Sequence, residues 1–259
     1  MSAPGTRKVL ITGGGTGIGR AIAQALLRAG GSVVLTGRRQ APLDEVAKAY
    51  PGRAFALPCD VASVSEREGL LKRAREKLGG LDGFVHSAGV VNHQVPGHID
   101  EASLREQLEV NLVAPLRLGE QALEVLEPGG GMVFISSTIA VRALLTSAAY
   151  SASKAGMHQV MRSLALAGAP RGIRANVVMP GVVDTDMAHE LRLAPGEPMP
   201  PEPERTARLN AQLERLRALH PLGRMGRPED VAEAVLYLLG ASWTTGAELT
   251  VDGGILLRE

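Results

Sequence analysis

The 259-residue sequence predicts an α/β domain in which a parallel sheet of about seven strands carries helices on both faces. Two observations lead there. Short β-rich runs alternate with longer stretches of helical pattern, the rhythm of repeated β–α–β units. Several of the short runs are apolar throughout, as expected of strands covered on both sides.

The elements follow in order. Lys8–Thr12 reads as a buried strand that enters Gly13-Gly14-Gly15-Thr16-Gly17-Ile18-Gly19, and a helix is expected over roughly 18–29. Ser32–Thr36 is the second strand, closed by Gly37-Arg38-Arg39 ahead of a helix near 41–49. Arg53–Leu57 is the third, with a helix expected over 63–78. Gly83–His86 is the fourth; it leads through Ser87-Ala88-Gly89 and Asn92–Asp100 to a helix over 101–126. Met132–Ser136 is the fifth, so the Ser137 hydroxyl falls at a strand end, and a helix over 150–168 follows. Arg174–Met179 is the sixth, ending in Pro180-Gly181. There the rhythm breaks. Between Ala194 and Glu204 stand five prolines, which no helix accommodates. Ligands of such sheets bind beyond the carboxyl ends of the strands, so this segment is read as part of a substrate lid around 182–220. The Arg-rich helix near 205–219 also carries Glu204 and Glu214 and is taken as a solvated face. A helix at 228–239 and the strand Glu248–Val251 complete a single domain over 1–259.

Bulk properties narrow the function. With 28 basic and 27 acidic residues the formal charge is +1, which gives no reason to expect nucleic acid or an anionic membrane as partner. The one cysteine, Cys59, permits no internal disulfide and reads as a small buried apolar residue. Met1 to Lys8 lacks an apolar signal core, and no segment approaches the roughly 18 apolar residues of a membrane span. A cytoplasmic protein is expected.

Chemistry enters at the first turn. Glycines allow a tight turn and close backbone approach to a pyrophosphate, which then sits at the positive end of the following helix. Gly13, Gly15, Thr16, Gly17, Ile18 and Gly19 are therefore candidate cofactor contacts, in the pattern Thr-Gly-x-x-x-Gly-x-Gly. At the end of the second strand, NAD-binding proteins tend to place an acid on the ribose 2′-hydroxyl. Here Gly37, Arg38 and Arg39 stand instead; glycine leaves room for a 2′-phosphate and a guanidinium grips it. NADP(H) is thus favoured over NAD(H). Tyr150 and Lys154 lie four apart on one helix face, so an ammonium can sit beside the phenol. Such a charge favours phenolate and lowers a pKa that is about 10 in a free tyrosine.

With Ser137 and Asn111 added, the sequence resembles the classical short-chain dehydrogenase/reductase family from Lys8 to Gly254. The resemblance rests on Thr12–Gly19, Asp60-Val61, Ala88-Gly89, Asn111, Ser136-Ser137, Tyr150-x-x-x-Lys154, Pro180-Gly181, Thr185, the run Pro221–Val231 and Thr245-Gly246 through Gly254. It implies a Rossmann-like, doubly wound three-layer sandwich and a hydride transfer between a coenzyme and a carbonyl or secondary alcohol. Tyr150 would be the general acid or base and Ser137 would orient the substrate oxygen. Lys154 would lower the tyrosine pKa and bond the nicotinamide ribose, and Asn111 would hold a water on the proton path. Asp60 and Val61 would contact adenine; Ser87, Ala88, Gly89, Pro180, Gly181, Val183 and Thr185 would complete the cofactor site. A homotetramer built partly from the 101–126 and 150–168 helices is also implied.

Two departures from the family pattern stand out. His86-Ser87-Ala88-Gly89 replaces a frequent Asn-Asn-Ala-Gly, so that loop is expected to be held differently, and Thr16 stands where many NADP-preferring relatives carry a basic residue. His86, His93 and His98 lack metal-ligand spacing and read as loop histidines, so no metal is expected. His158 receives no role. Ser137 lacks a nucleophile elbow, which argues against a hydrolase. His93, Ile139, Leu144, Val182 and Met187 are candidate substrate residues, mostly apolar, suiting an uncharged or partly apolar carbonyl compound. The rivals are a coenzyme-binding regulator without catalysis, an epimerase or dehydratase using the same tyrosine, and an NAD(H)-dependent enzyme of the same family.

Overall fold

A computed structural model describes residues 7–193 and 196–258. Seven parallel strands form one sheet: β1 Lys8–Thr12, β2 Ser32–Thr36, β3 Ala54–Ala56, β4 Gly83–His86, β5 Gly131–Ile135, β6 Arg174–Pro180 and β7 Glu248–Val251. Their spatial order is β3-β2-β1-β4-β5-β6-β7. The chain winds outward from β1 through β3, then crosses back to lay β4 beside β1. That reversal opens a crevice beyond the carboxyl ends of β1 and β4.

Strand alternation divides the interior into two cores. Leu10, Val34, Phe84, Met132, Phe134 and Val177 face helices α4 (Leu70–Leu78), α6 (Ala114–Val125) and α7 (Ala148–Gly168). Val9, Ile11, Val33, Leu35, Val133 and Val178 face α1 (Gly17–Arg28), α2 (Gln40–Ala49) and α9 (Pro228–Gly240). Period-two alternation between two apolar layers is why the strands read as unbroken apolar runs. Phe84 and Phe134 meet edge-on at 6.0 Å with both rings fully buried; each such burial is worth about 1.5–3 kcal/mol.

Besides shifts of a residue or two at element ends, the helices depart from expectation in two places. The helix expected over 63–78 is two, α3 (Val64–Arg67) and α4, because Gly69 takes a left-handed conformation with φ +62°. The helix expected over 101–126 runs as α5 (Glu101–Leu108) and α6 joined by a π-turn at Glu109–Val113. β5 begins and ends one residue earlier than expected, leaving Ser136 just beyond it. The proposed lid consists of a 3₁₀ turn at Asp186–His189, an irregular run and α8 (Glu204–Ala218); Ala194 and Pro195 lie outside the described residues.

Candidate active site

Beyond β1–β4 lies a cleft of about 510 Å³. Gly13, Gly15, Thr16, Gly17, Ile18 and Gly19 line it, with Gly37, Arg38 and Arg39 after β2, and Asp60 and Val61 after β3. Ser87, Ala88 and Gly89 after β4, and Thr185 and Met187 beyond β6, close the remaining sides. The walls also include Pro42, Leu43, Asn92, Glu106, Val110 and Glu190, which belong to no motif. They arrive through packing: a Cβ on Gly15 would lie 3.0 Å from Pro42 Cβ, so the first loop and the start of α2 touch.

The glycine loop suits a pyrophosphate. A Cβ on Gly19 would stand 2.2 Å from the Gly13 carbonyl oxygen, and Gly13 itself adopts φ +65°. No side chain caps the start of α1 and no acid occupies its first turn, so its free N–H groups and positive end suit an anion. Arg38 and Arg39 are exposed on the same wall, and neither is ion-paired among the described residues. The donor set fits a dinucleotide.

Behind the cleft, α7 carries Tyr150 and Lys154 on one face, with the Lys154 Nζ 5.7 Å from the phenol ring centre. The Tyr150 phenol lies close enough to Ser137 for that hydroxyl to favour its ionised form, and Ser137 caps the 3₁₀ turn Thr138–Ala140 at the end of β5. Lys154 is buried and donates to the Ile135 carbonyl at 2.9 Å. The expected lowering of the Tyr150 pKa by Lys154 is not what the protein's own groups produce. Burial pushes the phenol up to about 12, with the Ser137 hydroxyl pulling the other way. Burial also brings Lys154 down to about 7, so near neutrality much of its charge is gone.

Gly89 joins this group to the cleft. A Cβ there would lie 3.3 Å from Asn111 Oδ1 and 3.4 Å from Lys154 Nζ, so the cleft wall, the π-turn and the lysine meet at one glycine. The Asn111 side chain is fully engaged elsewhere. Its Oδ1 accepts from the Val90 N–H at 3.0 Å, and its Nδ2 donates to the Val90 carbonyl at 2.8 Å and to Ser153 Oγ at 3.2 Å. Both Nδ2 protons are thus taken, and a water on the expected proton path would find no side-chain donor here.

The loop after β4 is held by Thr12. Thr12 Oγ1 accepts from the N–H groups of Ser87 at 3.1 Å and Ala88 at 3.2 Å. Its own proton then faces His86 Nδ1 at 3.1 Å. His86 is wholly buried, and burial lowers its pKa to about 3. Its Nε2 is buried without a hydrogen-bond partner among the described residues.

The other candidates are scattered. Val183 is buried in the α9-side core, and Val182 packs with Leu213, Leu216 and Met225 beneath α8 while its N–H donates to His220 Nε2 at 3.1 Å. Pro180 is buried, and a Cβ on Gly181 would stand 2.9 Å from the Asp252 carbonyl. None of these four lines the cleft. His93 Nδ1 lies 3.0 Å from Ser147 Oγ, just ahead of α7; Ile139 is half-buried beside Ser137, and Leu144 is exposed. Met187, expected to meet substrate, lines the same cleft as the glycine loop. Among the described residues no three His, Cys, Asp or Glu converge to hold a metal, and no helix is long and apolar enough to cross a membrane.

A family model described as Enoyl-(Acyl carrier protein) reductase matches residues 13–256. Carbonyl reductase family member 4 of Xenopus tropicalis is 32% identical over 98% of this chain and 99% of its own length. The chain belongs to the classical short-chain dehydrogenase/reductase family. Another relative, cis-4-hydroxycyclohexanecarboxylate dehydrogenase of Sinomonas cyclohexanicum, is 35% identical over 96% of both chains. A short-chain dehydrogenase/reductase of Serratia marcescens superposes with a TM-score of 0.83 at 30% identity, covering 98% of this chain and 99% of that one. The aldohexose dehydrogenase of Thermoplasma acidophilum superposes with a TM-score of 0.84 at 27% identity, covering 98% and 96%. The protein is thus an oxidoreductase of a short-chain dehydrogenase/reductase family whose members use a nicotinamide coenzyme.

Proposed function

We propose that the protein interconverts a carbonyl compound and a secondary alcohol, using NADP(H) in preference to NAD(H). The observation that carries this reading is Tyr150 beside Lys154 on one face of α7 and near Ser137, with Gly89 linking the group to the cleft. When bound, the coenzyme supplies or accepts the hydride. Tyr150 gives its proton to the carbonyl oxygen in reduction and removes one from the hydroxyl in oxidation. Ser137 hydrogen-bonds the same oxygen as charge develops on it. Lys154 bonds the nicotinamide ribose. Arg38 and Arg39 bind the 2′-phosphate, Asp60 and Val61 the adenine, and Gly37 makes room. The 182–220 segment covers the substrate. Four copies assemble through the α5–α6 and α7 helices. The relatives' names, a carbonyl reductase and a dehydrogenase of a cyclic hydroxy acid, suit either direction.

Nicotinamide absorbance over a panel of ketones, 3-oxoacyl thioesters and secondary alcohols tests this. Turnover with NADPH is expected, and Tyr150→Phe should lower it by about 10²–10⁴-fold while coenzyme affinity holds. A Tyr150→Phe enzyme with most of its activity would refute the role. Tight coenzyme binding without turnover would favour the regulator.

A further inference from the structure

His158 stands four residues after Lys154 and eight after Tyr150, on the same face of α7. Met132 and Phe134 of β5 point to the α7 layer, whereas Val133 and Ile135 point away. Ser136 is the next even position, so a hydroxyl falls where an apolar side chain would continue the pattern. Its Oγ lies 2.8 Å from His158 Nε2. His158 Nδ1 lies 3.1 Å from Glu248 Oε2 on β7, and the other carboxylate oxygen of Glu248 pairs with Arg162. Ser136 and His158 are each 4% exposed.

Donor accounting assigns the protons. A carboxylate only accepts, so the imidazole N–H must be on Nδ1, facing Glu248. Nε2 is then an acceptor for the Ser136 hydroxyl. The groups acting on the ring are Glu248, which favours its charged form, and burial, Arg162 and Lys154, which oppose it; burial is the largest, and the ring is held neutral. The order Ser–His–Glu invites comparison with a hydrolase triad. Ser136, however, is sealed beneath the sheet end and lies off the cleft wall.

Helix α7 is thus tied to the end of β5 at two adjacent residues, by Lys154 to the Ile135 carbonyl and by His158 to Ser136. Both residues directly precede Ser137. In the proposed reaction Lys154 is required at the ribose, whereas nothing requires His158 to leave. We propose that His158 is a positioning residue: bonded to Ser136 and oriented by Glu248, it fixes Ser137 relative to the helix face that presents Tyr150. This rests on the reaction proposed for Ser137 and Tyr150. A misplacement of about 1 Å between reacting groups costs about 10²-fold in rate, so a lost tie should be visible in turnover.

The test combines spectroscopy and kinetics on the full chain. Imidazole ¹⁵N spectra near pH 8 should show His158 protonated at Nδ1 and bare at Nε2; the opposite tautomer, or an imidazolium, overturns the proposal. His158→Ala should lower kcat about tenfold or more, with unchanged dissociation constants for both nicotinamide coenzymes. His158→Gln, whose amide oxygen can accept from Ser136, should recover most of the loss. Ser136→Ala should match His158→Ala, and the double variant should be no worse than either, because one bond is being removed. A His158→Ala enzyme with wild-type kcat, or losses that multiply, overturns it. Should His158→Ala fail to fold, Ser136→Ala and the wild-type spectra decide. An inactive wild type or an active Tyr150→Phe would sink the reaction itself; an active wild type, a dead Tyr150→Phe and an unimpaired Ser136→Ala would sink only the role of His158.

Discussion

At Lys154 burial and charge oppose one another. Its pKa of about 7 in the fold, against 10.5 for a free lysine, means that the unfolded chain binds more protons between those values. Stability therefore rises with pH across that window, and the full penalty of the buried ammonium is present below it. Lys154→Met removes the penalty. At pH 6 the variant should melt above wild type, by about 2–4 °C per kcal/mol gained, with the difference narrowing towards pH 10. Calorimetry at both pH values reads this, and a lower melting temperature at pH 6 would show that the lost bond to the Ile135 carbonyl outweighs desolvation. Coenzyme choice belongs to this scale too. Gly37→Asp with Arg38→Asp places carboxylates where a 2′-phosphate would sit, and should move the preference about 10-fold or more towards NADH, since one charged contact is worth about 1.5–3 kcal/mol. Unchanged relative affinities would sink the assignment. Tyr150, Lys154 and Ser137 were legible as residue types at set spacing. The direction of the tyrosine shift was not, because spacing reports proximity and says nothing of desolvation.

Among elements, the junction of β1 and β4 is the most exacting. The Thr12 hydroxyl takes the N–H groups of Ser87 and Ala88 and faces the buried ring of His86. Thr12→Val keeps the shape and strips these partners, which should cost about 1–3 kcal/mol. Urea unfolding measures the loss, and coenzyme affinity should fall with it because Ser87 and Ala88 line the cleft. Stability within 0.5 kcal/mol of wild type, about the scatter of a neutral surface change, would contradict this account. The strands were readable from unbroken apolar runs, and the helices from their period. The π-turn at Glu109–Val113 was not, since one extra residue in a helix leaves the pattern on either side helical. Nor was the break at Gly69, a glycine that a continuous helix would also tolerate.

For the whole molecule, strand order assembles a site from residues far apart in the chain. Gly17 approaches Thr185, whose Cγ2 would lie 3.2 Å from a Cβ on that glycine, and Arg174 on β6 donates to the carbonyls of Leu238, Leu239 and Ala241 that end α9. The proposed assembly is decided at this scale. Sedimentation at micromolar concentration should report four copies. Leu166, 79% exposed on α7, lies on a helix assigned to the interface, and Leu166→Asp should shift the distribution to smaller species. A wild type that sediments as a monomer would remove the assembly.

The amino-acid order alone determined the parallel α/β class, the glycine loop on its helix, and the Ser137, Tyr150 and Lys154 set. Each depends on residues close in sequence or on a period that local geometry imposes. Only the tertiary structure decided that Asn111 has its side chain taken up by Val90, that Val182 and Val183 pack away from the cleft, and that Met187 shares the cleft with the glycine loop. It alone brought Ser136, His158 and Glu248 into one buried chain. Those facts depend on which strands lie side by side and which face each side chain takes, and desolvation then sets the charges.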